Sequence, residues 1–155
     1  MTWDDVQAWL DRYIAAWAAY DRDAIGELFS EDARYRYHPS DAGFAGRDAI
    51  VRAWTDPTGD AGSRDEPGTW EAHYEPFVVN GRRAVAVGYS RYFDDATQAR
   101  VRNTYDNAYL LEFDDEGRCR AFTELGIDHV GVVTTGPWTD ASVATLATAA
   151  QRLNG

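Results

Sequence analysis

His38 and Glu124 are the two side chains in this sequence best suited to proton transfer. Histidine ionises near neutral pH, which makes His38 the natural candidate for a general acid or base. The following Pro39 favours an extended backbone at His38 and ends a strand that we predict over residues 33–38. If Glu124 is buried among aromatic side chains, its pKa should rise, so that it could share a proton or orient the imidazole.

His38 and Glu124 also have a purely structural interpretation, and the sequence contains no motif for metal binding, phosphate binding or nucleophilic catalysis. Glu124 could form a salt bridge with Arg34 or Arg36, and His38 could hydrogen-bond within a turn. The three histidines do not have the spacing of a metal-binding motif, and no glycine-rich phosphate loop occurs. Ser90 has no sequence context for a nucleophilic triad. We therefore predict a site that uses neither a metal nor a cofactor.

Strand alternation places further polar and aromatic residues beside these candidates. Successive side chains of a strand point to opposite faces. In a strand predicted over 99–113, Asn107 and Tyr109 share one face, and in the last strand, over 118–127, Phe122 shares a face with Glu124.

The remaining elements must position these strands. Thr2 can cap a first helix whose apolar face includes Trp9, Tyr13 and Trp17. Shorter helices are predicted over 21–29 and 47–54, and a Pro- and Gly-rich loop over 56–68. Four strands follow, over 69–79, 82–93, 99–113 and 118–127, and Asn-Gly at 80–81 is a strong hairpin signal. Helices followed by an antiparallel meander predict an α+β fold.

Several segments resemble the nuclear transport factor 2-like superfamily, which includes ketosteroid isomerases, SnoaL-like polyketide cyclases and limonene epoxide hydrolase. They are RYIAAWAAYDRDAIGELFSEDARYRYHP, FAGRDAIVRAW, AVAVGYSRYF, YDNAYLLEF and DDEGRCRAFTEL. The resemblance implies a cystatin-like cone, in which a curved, mainly antiparallel sheet wraps around three N-terminal helices. The resemblance covers about residues 3–127 and implies one domain over 1–127. The tail over 128–155 departs from the family's core, and its own residues predict an extension with a short helix.

The resemblance also implies roles for individual residues. Tyr13 matches a helix tyrosine that donates to an oxyanion in ketosteroid isomerases, and His38 matches their general base, an Asp before a Pro. Tyr109 or Asn107 stands where those enzymes have a second oxyanion donor. We accordingly predict His38, Tyr13 and Glu124 as catalytic residues. The predicted substrate-binding residues are Trp17, Trp54, Tyr92, Asn107, Tyr109 and Phe122.

The function that follows is binding of a small, largely apolar molecule in the cone. Two alternatives follow. The protein is either an enzyme that carries out cofactor-free acid–base catalysis of the isomerase, cyclase, dehydratase or hydrolase type, or a non-catalytic ligand-binding or dimerisation module. Polar groups converging on a void would favour the enzyme. A void filled by Trp17, Phe122 and Tyr109 would favour the module.

Composition limits the partners. The net charge is −11 and all fifteen cationic side chains are arginine, which argues against nucleic acid and anionic membranes. No apolar run approaches the ~18 residues of a membrane span, and the first residues do not resemble a signal peptide, so we expect a cytoplasmic protein. An outward strip of Val85, Val87 and Tyr89 predicts a homodimer through the outer face of the sheet.

Overall fold

The structure, a computed structural model, describes residues 1–56 and 65–128. Its three helices are α1 (Trp3–Ala19), α2 (Arg22–Leu28) and α3 (Arg47–Thr55). Its six strands are β1 (Phe29–Arg36), β2 (Phe44–Ala45), β3 (Trp70–Asn80), β4 (Arg83–Phe93), β5 (Val101–Phe113) and β6 (Cys119–Asp128). They form one sheet in the order β2-β1-β6-β5-β4-β3, and only the β1–β6 pair among them is parallel. The predicted α+β class is confirmed.

Helix α1 covers the inner face of the sheet. Its first turn is fixed by a capping box, in which Asp5 N donates to Thr2 Oγ1 over 3.2 Å and Thr2 N donates to Asp5 Oδ2 over 2.8 Å. The fully buried Trp9 meets Phe29 of β1, Phe113 of β5 and Phe122 of β6. One helix therefore packs against strands from distant parts of the sequence.

The first strand differs from its prediction over 33–38. It begins at Phe29 and ends at Arg36, because the parallel partner β6 supplies backbone hydrogen bonds along that stretch. An irregularity between Phe29 and Arg34 interrupts the alternation of burial, which hides the first half of the strand from periodicity. His38 consequently lies beyond the strand, in the connection to β2.

The β3–β4 hairpin follows its sequence signal with a shift of one residue. Asn80 pairs with Arg83, so the two-residue loop consists of Gly81 and Arg82. Gly81 adopts φ +61°, the left-handed backbone that such a loop needs at its first position and that glycine tolerates.

Two predicted regions lie outside the described residues. They are most of the loop over 56–68, and the extension over 128–155 apart from Asp128, which ends β6. The domain boundary between 127 and 128 thus stays a prediction. Within the described part of the chain, no helix combines the length and the hydropathy needed to cross a membrane.

Candidate functional site

A partly open cavity of about 600 Å³ lies between the helices and the inner face of the sheet. Its floor is built by cross-strand neighbours. Tyr109 of β5 pairs with Glu124 of β6. Two residues away on each strand, Asn107 pairs with Gly126. Strand alternation turns all four residues to the same face, so the floor combines a carboxyl, an amide and a phenol.

Small residues of β4 leave space beside this floor. Ala84, Ala86 and Ser90 are buried and face inward. Gly88 lies between Tyr74 and Asn107 in the sheet, and a Cβ atom there would come within 2.6 Å of Tyr74 Cδ1. The lack of a side chain at Gly88 therefore lets the Tyr74 ring lie close over the sheet.

A chain of hydrogen bonds connects two buried tyrosines to Glu124. The hydroxyl oxygens of Tyr13 and Tyr35 are 3.1 Å apart, and the Tyr35 hydroxyl donates to Glu124 Oε2 over 3.3 Å. Because Tyr35 gives its single proton to the carboxylate, Tyr13 must donate to Tyr35 when Glu124 is ionised. Burial raises the pKa of both tyrosines well above the ordinary value of 10, so both remain neutral donors at neutral pH.

The Glu124 carboxyl ionises near neutrality. Desolvation raises its pKa from 4.5 to about 7, and the Tyr35 hydrogen bond partly opposes that rise. Within residues 1–56 and 65–128, no salt bridge reaches Glu124. The Arg34 side chain donates to Ala42 O instead. The expected alternative, an ion pair with Arg34 or Arg36, is therefore replaced by a phenol–carboxyl contact.

Tyr35→Phe should raise the pKa of Glu124 above its value of about 7. The substitution removes the donor that favours the carboxylate and leaves the desolvation in place. The carboxyl carbon resonance of Glu124, assigned by its loss in Glu124→Gln and followed by NMR across pH 5–9, measures the change. Tyr20→Phe is the control, because the Tyr20 hydroxyl donates to Asp65 and makes no contact with Glu124. An unchanged pKa in Tyr35→Phe would contradict the role given to this hydroxyl.

Asn107 anchors a second polar group on the floor. Its Nδ2 lies 2.8 Å from the Tyr74 hydroxyl and 3.5 Å from Ser90 Oγ. Tyr74 is buried and its pKa is raised to about 12, mainly by desolvation, so its hydroxyl is neutral. The group formed by Asn107, Tyr74 and Ser90 is thus polar but uncharged.

Aromatic residues and a carboxylate border the cavity where α1 ends. Trp17 Nε1 and the Tyr20 hydroxyl both donate to Asp65 Oδ2, over 3.2 Å and 3.1 Å. The Trp17 ring stacks on Trp70 with centroids 3.9 Å apart. These contacts hold the residues just before β3 and the first residue of β3 against the end of α1. Both Trp17 and Asp65 line the cavity there.

Seven of the nine predicted site residues line the cavity, namely Tyr13, Trp17, Trp54, Tyr92, Asn107, Tyr109 and Glu124. The other two lie elsewhere. Phe122 is fully buried beneath the tyrosines, where it stacks on Tyr35 with centroids 4.4 Å apart. It supports the site from below rather than bordering the space.

His38 does not join Tyr13 and Glu124. It is exposed, and its Nδ1 lies 2.8 Å from Ser40 Oγ and accepts a hydrogen bond from Ser40 N. This is the alternative expected from sequence, a hydrogen bond within a turn. Its ring borders a different groove, on the outer face of the sheet beside Tyr89 and Ile127. The strand ends before His38, so the backbone carries the imidazole away from the cavity.

The sequence prediction missed several cavity residues, among them Tyr20, Tyr35, Tyr37, Asp65, Tyr74 and Tyr105. Tyr35 had a usable signal. In the strand predicted over 33–38 it lies two residues after Ala33, so strand alternation places both side chains on the same face. Tyr74 and Asp65 had none, since their position depends on how β3 packs against the rest of the sheet. Among the described residues, no three His, Cys, Asp or Glu side chains gather in a metal-binding arrangement.

Comparisons with known proteins place the chain in a family. No curated protein matches the sequence. An NTF-2 like protein of unknown function from Burkholderia xenovorans LB400 has a similar structure, at 17% identity and a TM-score of 0.58, with 85% of this chain and 90% of that chain covered. A candidate ketosteroid isomerase from Kribbella flavida DSM 17836 shares 17% identity with a TM-score of 0.57, over 80% of this chain and 78% of that one.

A candidate polyketide cyclase from Sinorhizobium meliloti is also similar, at 22% identity and a TM-score of 0.53, over 80% of this chain and 99% of that chain. At such identities these neighbours show the fold alone. The model of the SnoaL-like domain matches residues 10–122, which is most of the chain. The chain therefore belongs to the SnoaL-like domain family, within the NTF2-like superfamily.

Proposed function

We propose that this protein binds a small, largely apolar molecule in the cavity and that Glu124 exchanges a proton with it. The observation that carries the proposal is a carboxyl group with a pKa of about 7, facing an aromatic cavity of about 600 Å³. That size suits a small organic ligand, and a pKa near the working pH suits a general acid or base.

The reaction class that this arrangement supports is proton abstraction beside a carbonyl and return of the proton elsewhere. Ionised Glu124 accepts the proton. Once Glu124 is protonated, the hydrogen bonds among Glu124, Tyr35 and Tyr13 can reverse direction, and the Tyr13 hydroxyl can then donate to the oxygen that gains negative charge. Isomerases and cyclases use this chemistry without a cofactor, and the neighbours named as a ketosteroid isomerase and a polyketide cyclase support that class.

A ligand panel tests the binding half of the proposal. At least one compound among steroids, terpenoids and aromatic polyketides should raise the melting temperature. At ~100 times its dissociation constant it adds about 2.7 kcal/mol of stability, which is about 5–10 °C for a chain of this size. The rise should persist in Leu110→Asp, on the outer face of the sheet, and fall in Trp54→Ala, which lines the cavity. A broad apolar panel without a hit would favour an interaction module.

The outer face of the sheet supports a second proposal, a homodimer. Val85, Val87 and Tyr89 of β4 are only partly buried, while Leu110 is 40% and Ile127 67% exposed. Grooves of about 460 Å³ and 320 Å³ run between these side chains. An apolar surface of this kind rarely faces water in a stable monomer, so we propose that it pairs with the same face of a second copy.

Light scattering at micromolar concentration should therefore give the mass of two chains. Leu110→Asp should reduce it to one, because the pairing would bury the new charge. Val101→Asp is the matched control, since Val101 is 49% exposed but borders neither groove. A monomer mass for the unaltered chain would reject the dimer.

A further inference from the structure

Asp65 is a carboxylate that the fold holds in place without a cationic partner. Trp17 Nε1 and the Tyr20 hydroxyl both donate to its Oδ2, and its own backbone N–H donates to the Tyr20 hydroxyl over 2.9 Å. No described residue donates to Oδ1, which retains accessible surface, and none forms a salt bridge with Asp65. A partly buried carboxylate that only neutral donors hold gains from a cation brought by a ligand.

Aromatic rings border the cavity beside this carboxylate. One side of the Trp17 ring is covered by Trp70, but Trp17 lines the cavity and Trp70 does not. The Tyr92 ring, which also lines the cavity, has its centroid 6.5 Å from that of Trp17. Desolvation, and after it the charge of Asp65, raises the pKa of Tyr92, so its hydroxyl stays neutral. The faces of such rings carry partial negative charge and attract cations.

The charged side chains that line the cavity are mainly acidic. Among the described residues they are the carboxyl groups of Asp65, Glu124 and Asp128 and one cation, Arg102. Carboxylates therefore outnumber cations even when Glu124 is protonated, in a chain whose net charge is −11. The exposed Arg102 guanidinium lies 5.9 Å from the centroid of the Tyr92 ring, so this ring already attracts a cation. The surroundings favour a positively charged ligand over an anion.

Asp65 and Glu124 are near enough for one small molecule to contact both. Tyr13 is connected through Tyr35 to Glu124, and Trp17 donates to Asp65. Tyr13 and Trp17 are four residues apart on α1, which is about 6 Å along the helix axis. A ring compound that carries a short substituent can span this separation.

We propose that Asp65 binds a protonated amine of the molecule in the cavity, with the Trp17 and Tyr92 rings beside it adding cation–π attraction. This inference rests on the proposed function and narrows it. The ligand class becomes an apolar ring compound with a protonated amine at Asp65 and the proton-exchanging carbon at Glu124. Asp65 selects the ligand by its charge and touches no reacting atom.

Three naphthalene probes that differ in charge test the inference by isothermal titration calorimetry at neutral pH. They are 2-naphthylmethylamine, which is cationic, 2-naphthylmethanol, which is neutral, and 2-naphthoate, which is anionic. The unaltered protein should bind the amine about tenfold more tightly than the alcohol, as expected for a charge-assisted hydrogen bond combined with a cation–π contact. It should bind the naphthoate more weakly than the alcohol, because the carboxylates repel it.

In Asp65→Asn the preference for the amine over the alcohol should fall below about twofold. Asparagine can still accept the hydrogen bonds of Trp17 and Tyr20, so the change removes the charge and keeps the contacts. Glu66→Gln is the matched control. Glu66 is the next residue and loses the same charge, but it is exposed and does not line the cavity, so the preference should survive. If Asp65→Asn does not fold, the order of the three probes on the unaltered protein still decides.

Three results would overturn the inference. They are equal affinity of the unaltered protein for the amine and the alcohol, an unchanged preference in Asp65→Asn, and tighter binding of the naphthoate than of the alcohol. The last result would mean that Arg102, not Asp65, binds the charged group of the ligand.

The inference and the proposed function can fail separately. If neutral compounds of the broad panel bind and the amine has no advantage over the alcohol, the ligand class inferred from Asp65 is wrong and the binding function stands. If no compound of either set binds, both are wrong.

Discussion

Glu124→Gln is expected to slow proton exchange at the α-carbon of a bound ketone by about 10²–10⁴-fold. The glutamine side chain has the same shape and can still accept a hydrogen bond from Tyr35, but it cannot take up a proton. The Glu124 carboxyl, whose pKa is about 7, is the group on the cavity floor that can be a base at neutral pH. Removing it should therefore remove the chemistry while leaving the cavity in place.

Deuterium uptake by 2-tetralone in D2O, followed by proton NMR, measures this exchange directly. The rate with the unaltered protein should rise with pH through about 7 and then level, because only ionised Glu124 abstracts a proton. Glu75→Gln is the matched control. Glu75 is another partly buried carboxyl with a pKa raised by desolvation, but it pairs with Val87 on the outer face. Equal rates for Glu124→Gln and the unaltered protein would reject Glu124 as the base.

The same substitution should change how stability depends on pH. The Glu124 pKa is about 7 in the folded chain, against an ordinary value of 4.5. Between these values the folded state holds a proton that the unfolded state has released, so the free energy of unfolding falls as the pH rises from 4.5 to about 7. Glutamine removes this dependence. A Glu124→Gln protein that is at least as stable as the unaltered one at pH 8 would show that its loss of exchange is not unfolding.

Phe122→Ala is expected to reduce the free energy of unfolding by about 3–5 kcal/mol. Phe122 is fully buried and lies nearly parallel to the rings of Tyr35 and Tyr13, at interplanar angles of 14° and 11°. It also contacts Tyr109, with centroids 4.7 Å apart. Removing the ring leaves a void beneath all three tyrosines, which a close-packed core cannot fill.

Chemical denaturation measures the loss, and the melting temperature should fall by at least ~6 °C. Val101→Ala, at an exposed position of β5, is the control and should change stability by less than about 0.5 kcal/mol. If Phe122→Ala costs less than ~1 kcal/mol but alters ligand affinity, Phe122 borders the cavity, as the sequence had predicted, and does not support it.

The sequence by itself determined the elements and the faces of the long strands. Thr2 at the start of α1 and Asn80-Gly81 before β4 are local signals, because a cap and a tight turn depend only on neighbouring residues. Alternation within β5 and β6 placed Asn107 and Tyr109 on one face of β5, and Phe122 and Glu124 on one face of β6. The family resemblance then predicted that these faces point inward, and the structure agrees.

Only the tertiary structure decided which residues meet. Tyr35 and Glu124 are 89 positions apart in the chain, and the parallel register of β1 on β6 brings them into hydrogen-bond contact. The periodicity of one strand specifies its faces but not its register against a distant strand, which packing and backbone hydrogen bonds select. The same pairing ends β1 at Arg36 and leaves His38 in the following connection, exposed to solvent. The base that the sequence favoured thus lies outside the cavity. We propose Glu124 in its place, because burial, a property of the whole fold, raises the pKa of its carboxyl.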